Sequence, residues 1–155
     1  MQENFAIYPS LKNMPVIVTG GASGIGEQIT RSFVSQGAKV GIIDFDRVAS
    51  EKLYSDLHGE LNFEICDLSK IDNLKRAFIS LINKVGQPGA LVNNAARDDR
   101  HDWQLVTSEY FDDRIGNNLK HQFFSIQAVA PAMIKRGRGS IINLGSNSWW
   151  EAGGG

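Results

Sequence analysis

Short apolar runs rich in Val and Ile recur at residues 14–19, 38–44, 61–66, 89–93 and 139–145, and between successive runs the apolar positions fall three and four apart. An unbroken apolar run of this length reads as a strand buried on both faces, and the spaced stretches read as amphipathic helices. The order strand, helix, strand repeats along the chain. It predicts an α/β fold: a doubly wound parallel sheet of about five strands, with helices on both faces and right-handed crossovers. The punctuation agrees. Gly37 fits the position just past the first helix, Asp46 or Asp44 the N-cap of the second, Ser69 that of the third, and Thr107 or Ser108 that of a long fourth.

That fourth helix is expected over about residues 108–136, with Phe111, Ile115, Leu119, Phe123, Ile126, Ala130 and Met133 as a stripe facing the core. Its middle is weak. Gly116-Asn117-Asn118 sets three poor helix formers in succession, each costing about 0.5–1 kcal/mol against alanine, a concession expected where function demands it. Pro131 is expected to kink the later part. No repeat or low-complexity block divides the chain, so residues 1–155 read as a single domain.

The first strand and first helix are joined by Thr19-Gly-Gly-Ala-Ser-Gly-Ile-Gly26. Gly20, Gly24 and Gly26 permit positive φ, close approach of backbone to a ligand and tight seating of the helix on the sheet. The helix then opens with unpaired N–H groups and the positive end of its dipole, a cradle for a diphosphate. Asp44 closes the second strand about 20 residues after the turn, where a carboxylate accepts from both hydroxyls of an adenosine ribose. This favours NAD, because a 2′-phosphate would meet that negative charge with only Arg47 near to offset it. A plain helix cap is the other reading of Asp44.

Composition narrows the partners. The chain is 42% hydrophobic and 21% charged, as a globular domain is, and its net charge of −1 gives no basic surface for nucleic acid. No apolar run approaches the ~20 residues of a membrane span, and the stretch around Glu3 lacks the apolar segment of a secretory leader, so a cytoplasmic location is expected. Cys66 is the only cysteine. A disulfide or cysteine-based zinc site within one chain is therefore ruled out, no metal site is expected, and Cys66 reads as an inert buried thiol.

Four further segments complete a pattern: Asp67 in Cys-Asp-Leu-Ser, Asn93-Asn-Ala-Ala96, Asn118-Leu, and Gly139-Ser-Ile-Ile-Asn-Leu-Gly-Ser146. With the glycine turn they resemble, in order and spacing, the short-chain dehydrogenase/reductase family over nearly the whole chain. Ala6-Ile-Tyr-Pro-Ser-Leu-Lys12, Asn94-Ala-Ala-Arg-Asp-Asp-Arg-His101, Gln127-Ala-Val-Ala-Pro131 and Ser146-Asn-Ser-Trp149 are similar to its bacterial aldose 1-dehydrogenases. The resemblance implies a Rossmann fold, NAD as cofactor, a sugar as substrate, oxidation of an aldose to an aldonolactone, and a homo-oligomer, a tetramer in the family. It places Ser23 and Ile25 with the glycines in the diphosphate turn, Asp67 and Leu68 beside the adenine, and Asn94, Ala95 and Ala96 under the nicotinamide-side ribose. Asn118 and Ser146 match the family's catalytic Asn and Ser: the first holds a water in a proton relay and supports a distorted helix, the second hydrogen-bonds the substrate oxygen.

Each of these residues also has a simpler reading: Asn118 satisfied by neighbouring backbone, Asn93 and Asn94 as strand-end caps, Ser146 as a turn serine. His101 and His121 match no catalytic position, and His121 lies off the Phe111 stripe, toward solvent or a subunit interface. Asp98-Asp-Arg-His-Asp-Trp103 reads equally as a sugar-lining or a salt-paired loop. Ser148 and Trp149 are candidate substrate contacts, with Trp149 and Trp150 able to stack on a pyranose.

The family's Tyr, followed four residues on by Lys, belongs a short way beyond Ser146, and no such pair stands there; Tyr8, Tyr54 and Tyr110 occupy other motifs. The expectation is a truncated sequence, the N-terminal part of such an enzyme. A catalytically incomplete NAD-binding module or a non-functional fragment is the alternative.

Overall fold

The computed structural model describes residues 6–146. Five strands, β1 (Pro15–Thr19), β2 (Lys39–Asp44), β3 (Leu61–Ile65), β4 (Ala90–Asn93) and β5 (Ser140–Asn143), form one parallel sheet in the order β3-β2-β1-β4-β5. Register places Val16 beside Val40 and Ala90, Ile17 beside Leu91, and Asn93 beside Asn143. The expected doubly wound Rossmann-type sheet is present. The chain order reverses between β1 and β4, which opens a crevice at the carboxyl edge of the sheet.

Alternate residues of each strand feed two cores. On one face Val16, Val18, Val40, Ile42 and Val92 pack under α1 (Gly24–Ser35) and α2 (Arg47–Asp56) through Val34, Phe33 and Leu53. On the other, Ile17, Ile43 and Leu91 pack under α3 (Ile71–Val85) and a later helix through Leu74, Phe78, Leu81, Val129 and Met133. Val16, Ile17 and Val18 have no solvent exposure, as central strands covered on both faces require. No helix among the described residues is long and apolar enough to cross a membrane.

Local signals largely hold. Gly37 sits just past α1 at φ 74°, Asp46 caps α2 by accepting from Ala49 N–H at 3.0 Å, and Thr107 caps the fourth helix by accepting from Tyr110 N–H at 3.2 Å. Ser69 does not cap α3. Lys70 takes that position, and the Ser69 N–H and hydroxyl are drawn to Asp67 Oδ1 at 2.9 and 2.7 Å instead.

The long fourth helix departs from expectation. It consists of α4 (Ser108–Ile115), a π-helical turn over Gly116–Lys120, and α5 (His121–Arg136), which runs through Pro131 without a break. The Gly116-Asn117-Asn118 weakness is where the ladder slips by one residue. The face that meets the core is not the expected one, and α4 ahead of the slip buries no residue. His121, Ser125, Val129 and Met133 are buried at intervals of four, whereas Phe111, Leu119 and Phe123, expected inside, are 58%, 58% and 63% exposed, and Ile115 is also exposed. His121, expected at solvent or an interface, has no exposure at all. Ile126 and Met133 of the expected stripe do reach the second core.

Candidate functional site

The turn after β1 is built by three different glycine requirements. Gly20 has φ 63°, and a Cβ there would sit 2.9 Å from Ala95 Cα. Gly24 has φ 54° with open space around it, so it is required by conformation alone. Gly26 is the tightest: a Cβ would fall 1.9 Å from the Gly20 carbonyl oxygen and 2.5 Å from Asn94 Nδ2. Ser23 precedes α1 in extended conformation without a side-chain capping bond, which leaves the first N–H groups of α1 facing the crevice.

Two threonines and one asparagine lock this turn. Thr19 Oγ1 accepts from the N–H groups of Asn94 and Ala95, each at 3.2 Å, and Asn94 Nδ2 donates to the carbonyls of Thr19 and Gly20 at 3.1 and 2.9 Å. Thr30 Oγ1, buried nearly two turns into α1, lies 3.0 Å from the Gly21 carbonyl and 2.9 Å from that of Gly26. Thr19 and Thr30 were not singled out from sequence, because a lone hydroxyl on a buried element leaves no periodic signature. Ala96 has no positive φ, so its methyl is carried without backbone strain.

Asp44 ends β2 with only 4% exposure. Its Oδ2 accepts from Ala22 N–H at 2.9 Å and its Oδ1 from Asp46 N–H at 3.0 Å. Each oxygen keeps a further lone pair for a ligand hydroxyl. Burial pushes the neighbouring Cys66 thiol up to about 11, with the Asp67 carboxylate adding to it, so an unreactive thiol is what the site contains.

All the expected cofactor residues except Gly24 line one cleft of about 710 Å³ at the carboxyl edge of the sheet. Phe45, Lys70, Arg97, Asp113 and Asn117 join them, and none of these five was expected from sequence. A larger apolar groove of about 1170 Å³ runs between α1 and the β4–β5 face, lined by Ile25, Ile29, Phe33, Ile142 and Leu144. It gathers no titratable constellation; the chemistry converges on the smaller cleft.

Asn118 stands in the π-helical turn and grips a peptide unit: its Oδ1 accepts from Arg97 N–H at 2.8 Å, and its Nδ2 donates to the Arg97 carbonyl at 3.0 Å. Its own carbonyl accepts from Gln122 Nε2 at 2.9 Å. Asn118 borders a second, polar pocket of about 350 Å³ with Asp99, His101, Tyr110 and Arg114, and Arg97 lines both cavities. Ser146 follows β5 at the carboxyl edge and is exposed. Ser148, Trp149 and Trp150 lie outside the described residues. The one Tyr-x-x-x-Lys spacing in the chain, Tyr8 to Lys12, precedes β1 and so belongs to the opposite edge of the sheet, with Tyr8 facing the apolar groove.

A parallel sheet with a glycine turn at its crevice and a buried carboxylate at the tip of the neighbouring strand defines the Rossmann class of dinucleotide-binding folds. Residues 15–151 match the family model for short chain dehydrogenase, and the chain belongs to that family. It is 46% identical over 147 residues to a D-xylose 1-dehydrogenase of Caulobacter vibrioides, covering 93% of this chain and 58% of that protein. It is 40% identical over 143 residues to a Rhizobium meliloti protein described as a "probable galactose dehydrogenase GalD", covering 90% and 56%. The crystal structure of serine dehydrogenase from Escherichia coli superposes with a TM-score of 0.79 at 31% identity, over 87% of this chain and 63% of that one. The chain thus spans little more than half the length of the curated relatives it matches.

Proposed function

We propose that the chain carries the cofactor-binding part of an NAD-dependent dehydrogenase that oxidises the C1 hydroxyl of an aldose to the aldonolactone. The observation that carries this reading is Asp44, a buried carboxylate at the ribose position beside the glycine turn. A buried negative charge there favours two hydroxyls and opposes a phosphate, which supports NAD over NADP. The names of the two sugar dehydrogenase relatives support the substrate class.

The residues present fit the cofactor, since the turn is open at Gly24 and the cleft holds every other expected contact. Gly20, Ser23, Ile25 and Gly26 would hold the diphosphate against α1, Asp67 and Leu68 would border the adenine, and Asn94, Ala95 and Ala96 the second ribose. Bound there, the nicotinamide supplies a hydride acceptor at its C4. Ser146 would hold the sugar oxygen through its hydroxyl. Asn118, its carboxamide taken up by the Arg97 peptide, would frame the site while the proton of the sugar hydroxyl leaves to the family's tyrosine. A cofactor-binding module without turnover is the second reading.

Calorimetric titration with NAD, followed by NADH absorbance with D-xylose and D-galactose, separates the readings. Binding with NADH formation supports the dehydrogenase, and binding without it supports the module. No binding at all overturns both and leaves a non-functional fragment.

A further inference from the structure

The segment from Asn94 to Asp102 has no regular structure, yet it is tied to α4 by a closed ring of four charges. Arg97 Nη2 lies 2.8 Å from Asp99 Oδ2, and Arg114 Nη1 lies 2.9 Å from the same oxygen. Arg114 Nη2 also pairs with Asp113, and Asp113 Oδ2 returns to Arg97 Nη1 at 3.6 Å. Every member has two neighbours of opposite sign. Arg114 is the pivot: its side chain is only 16% exposed, and its guanidinium lies over the Tyr110 ring at 4.9 Å. Asp113 Oδ1 accepts from Asn117 Nδ2 at 2.8 Å, so the ring continues into the π-helical turn one residue before Asn118.

Isolated surface ion pairs contribute little, but a closed network fixes geometry in a way single pairs do not. We infer that Asp99 and Arg114 are positioning residues: they set the segment so that the peptide of Arg97 meets the Asn118 carboxamide and the wall between the cofactor cleft and the polar pocket stands. Neither needs to touch cofactor or substrate for this role. The inference rests on the proposed function only in taking Asn118 as part of the active site.

The test uses the full chain with Asp99→Asn, Arg114→Gln and the double variant, read by amide hydrogen exchange and by the side-chain NH₂ resonance of Asn118. Arg97 N–H is expected to exchange roughly tenfold faster in each single variant while the amides of Ile17 and Leu91 are unmoved, as a local opening requires. The Asn118 resonance shifts in both, and the double variant adds little, because either change opens the same ring. Arg114→Lys, which keeps the charge but loses the planar fork of separated N–H groups, gives an intermediate exchange rate. Unchanged Arg97 exchange in folded single variants overturns the inference, and so does a rise shared equally by the core amides. If Arg114→Gln fails to fold, Asp99→Asn at its half-exposed site decides. Absence of NAD binding by the unsubstituted chain defeats the proposed function, while the exchange data still judge the ring.

Discussion

Gly26→Ala is the sharpest single perturbation of the cleft. The added Cβ would lie 1.9 Å from the Gly20 carbonyl oxygen, and ordinary contacts begin near about 3.5 Å, so turn and helix must part by about 1.5 Å. Neither neighbour is a flexible side-chain tip: one is backbone, and the other is Asn94 Nδ2, already bound to that same carbonyl at 2.9 Å. Overpacking of this kind costs about 1–3 kcal/mol and the broken bond adds about 1, giving roughly 2–4 kcal/mol. For a domain of this size that lowers Tm by roughly 4–16 °C. The same displacement carries the first N–H groups of α1 away from the diphosphate position, so NAD affinity falls more than about tenfold. Thermal unfolding by circular dichroism and calorimetric titration read the two effects. Gly24→Ala is the control, because its Cβ meets nothing and only the left-handed conformation, about 1–2 kcal/mol, stands against it. A Gly26→Ala protein melting within about 2 °C of the parent, with NAD affinity within about twofold, would refute the steric account.

Asp44→Asn leaves one of the Ala22 and Asp46 N–H groups facing a donor, costs about 1–3 kcal/mol and narrows the preference for NAD over NADP in parallel titrations; equal affinity for both in the parent contradicts the role given to Asp44. Burial lowers the pKa of His121 against a smaller opposing pull from the Asn117 backbone, so the unfolded chain binds the proton more readily. Stability is therefore full above the ordinary value of 6.5 and declines as pH falls below it. His121→Phe should flatten the change in Tm between roughly pH 7 and 5, and a slope equal to the parent's rejects this assignment. The exposed Phe111, Leu119 and Phe123 should drive self-association above the 17.1 kDa monomer, relieved in Leu119→Glu/Phe123→Glu; sedimentation velocity showing a monomeric parent at every concentration contradicts it.

The strands were legible because each is a short apolar run, and in β1, β2 and β4 that run is buried on both faces, whereas edge strand β5 is exposed. The diphosphate turn was legible too, since Gly20, Gly24 and Gly26 are demanded by backbone geometry that no other residue supplies. The inward face of the long fourth helix was not. Apolar spacing takes for granted that the greasy side faces inward, whereas α5 sets polar His121 and Ser125 toward the core and leaves Phe123 outside. The Arg97, Asp99, Asp113 and Arg114 ring was invisible for another reason. It joins an irregular segment to a helix fifteen residues further on, and no local pattern records such a pairing.

Asn118 recognises the amide plane of residue 97 rather than its side chain, much as one strand reads its neighbour. The carboxamide itself needs only the N–H and C=O of that residue, which bars proline there, while the Arg97 side chain is held separately by Asp99 and Asp113. The lining of the pocket can therefore change at Asp98 or Val106 while the backbone frame at residue 97 stays put.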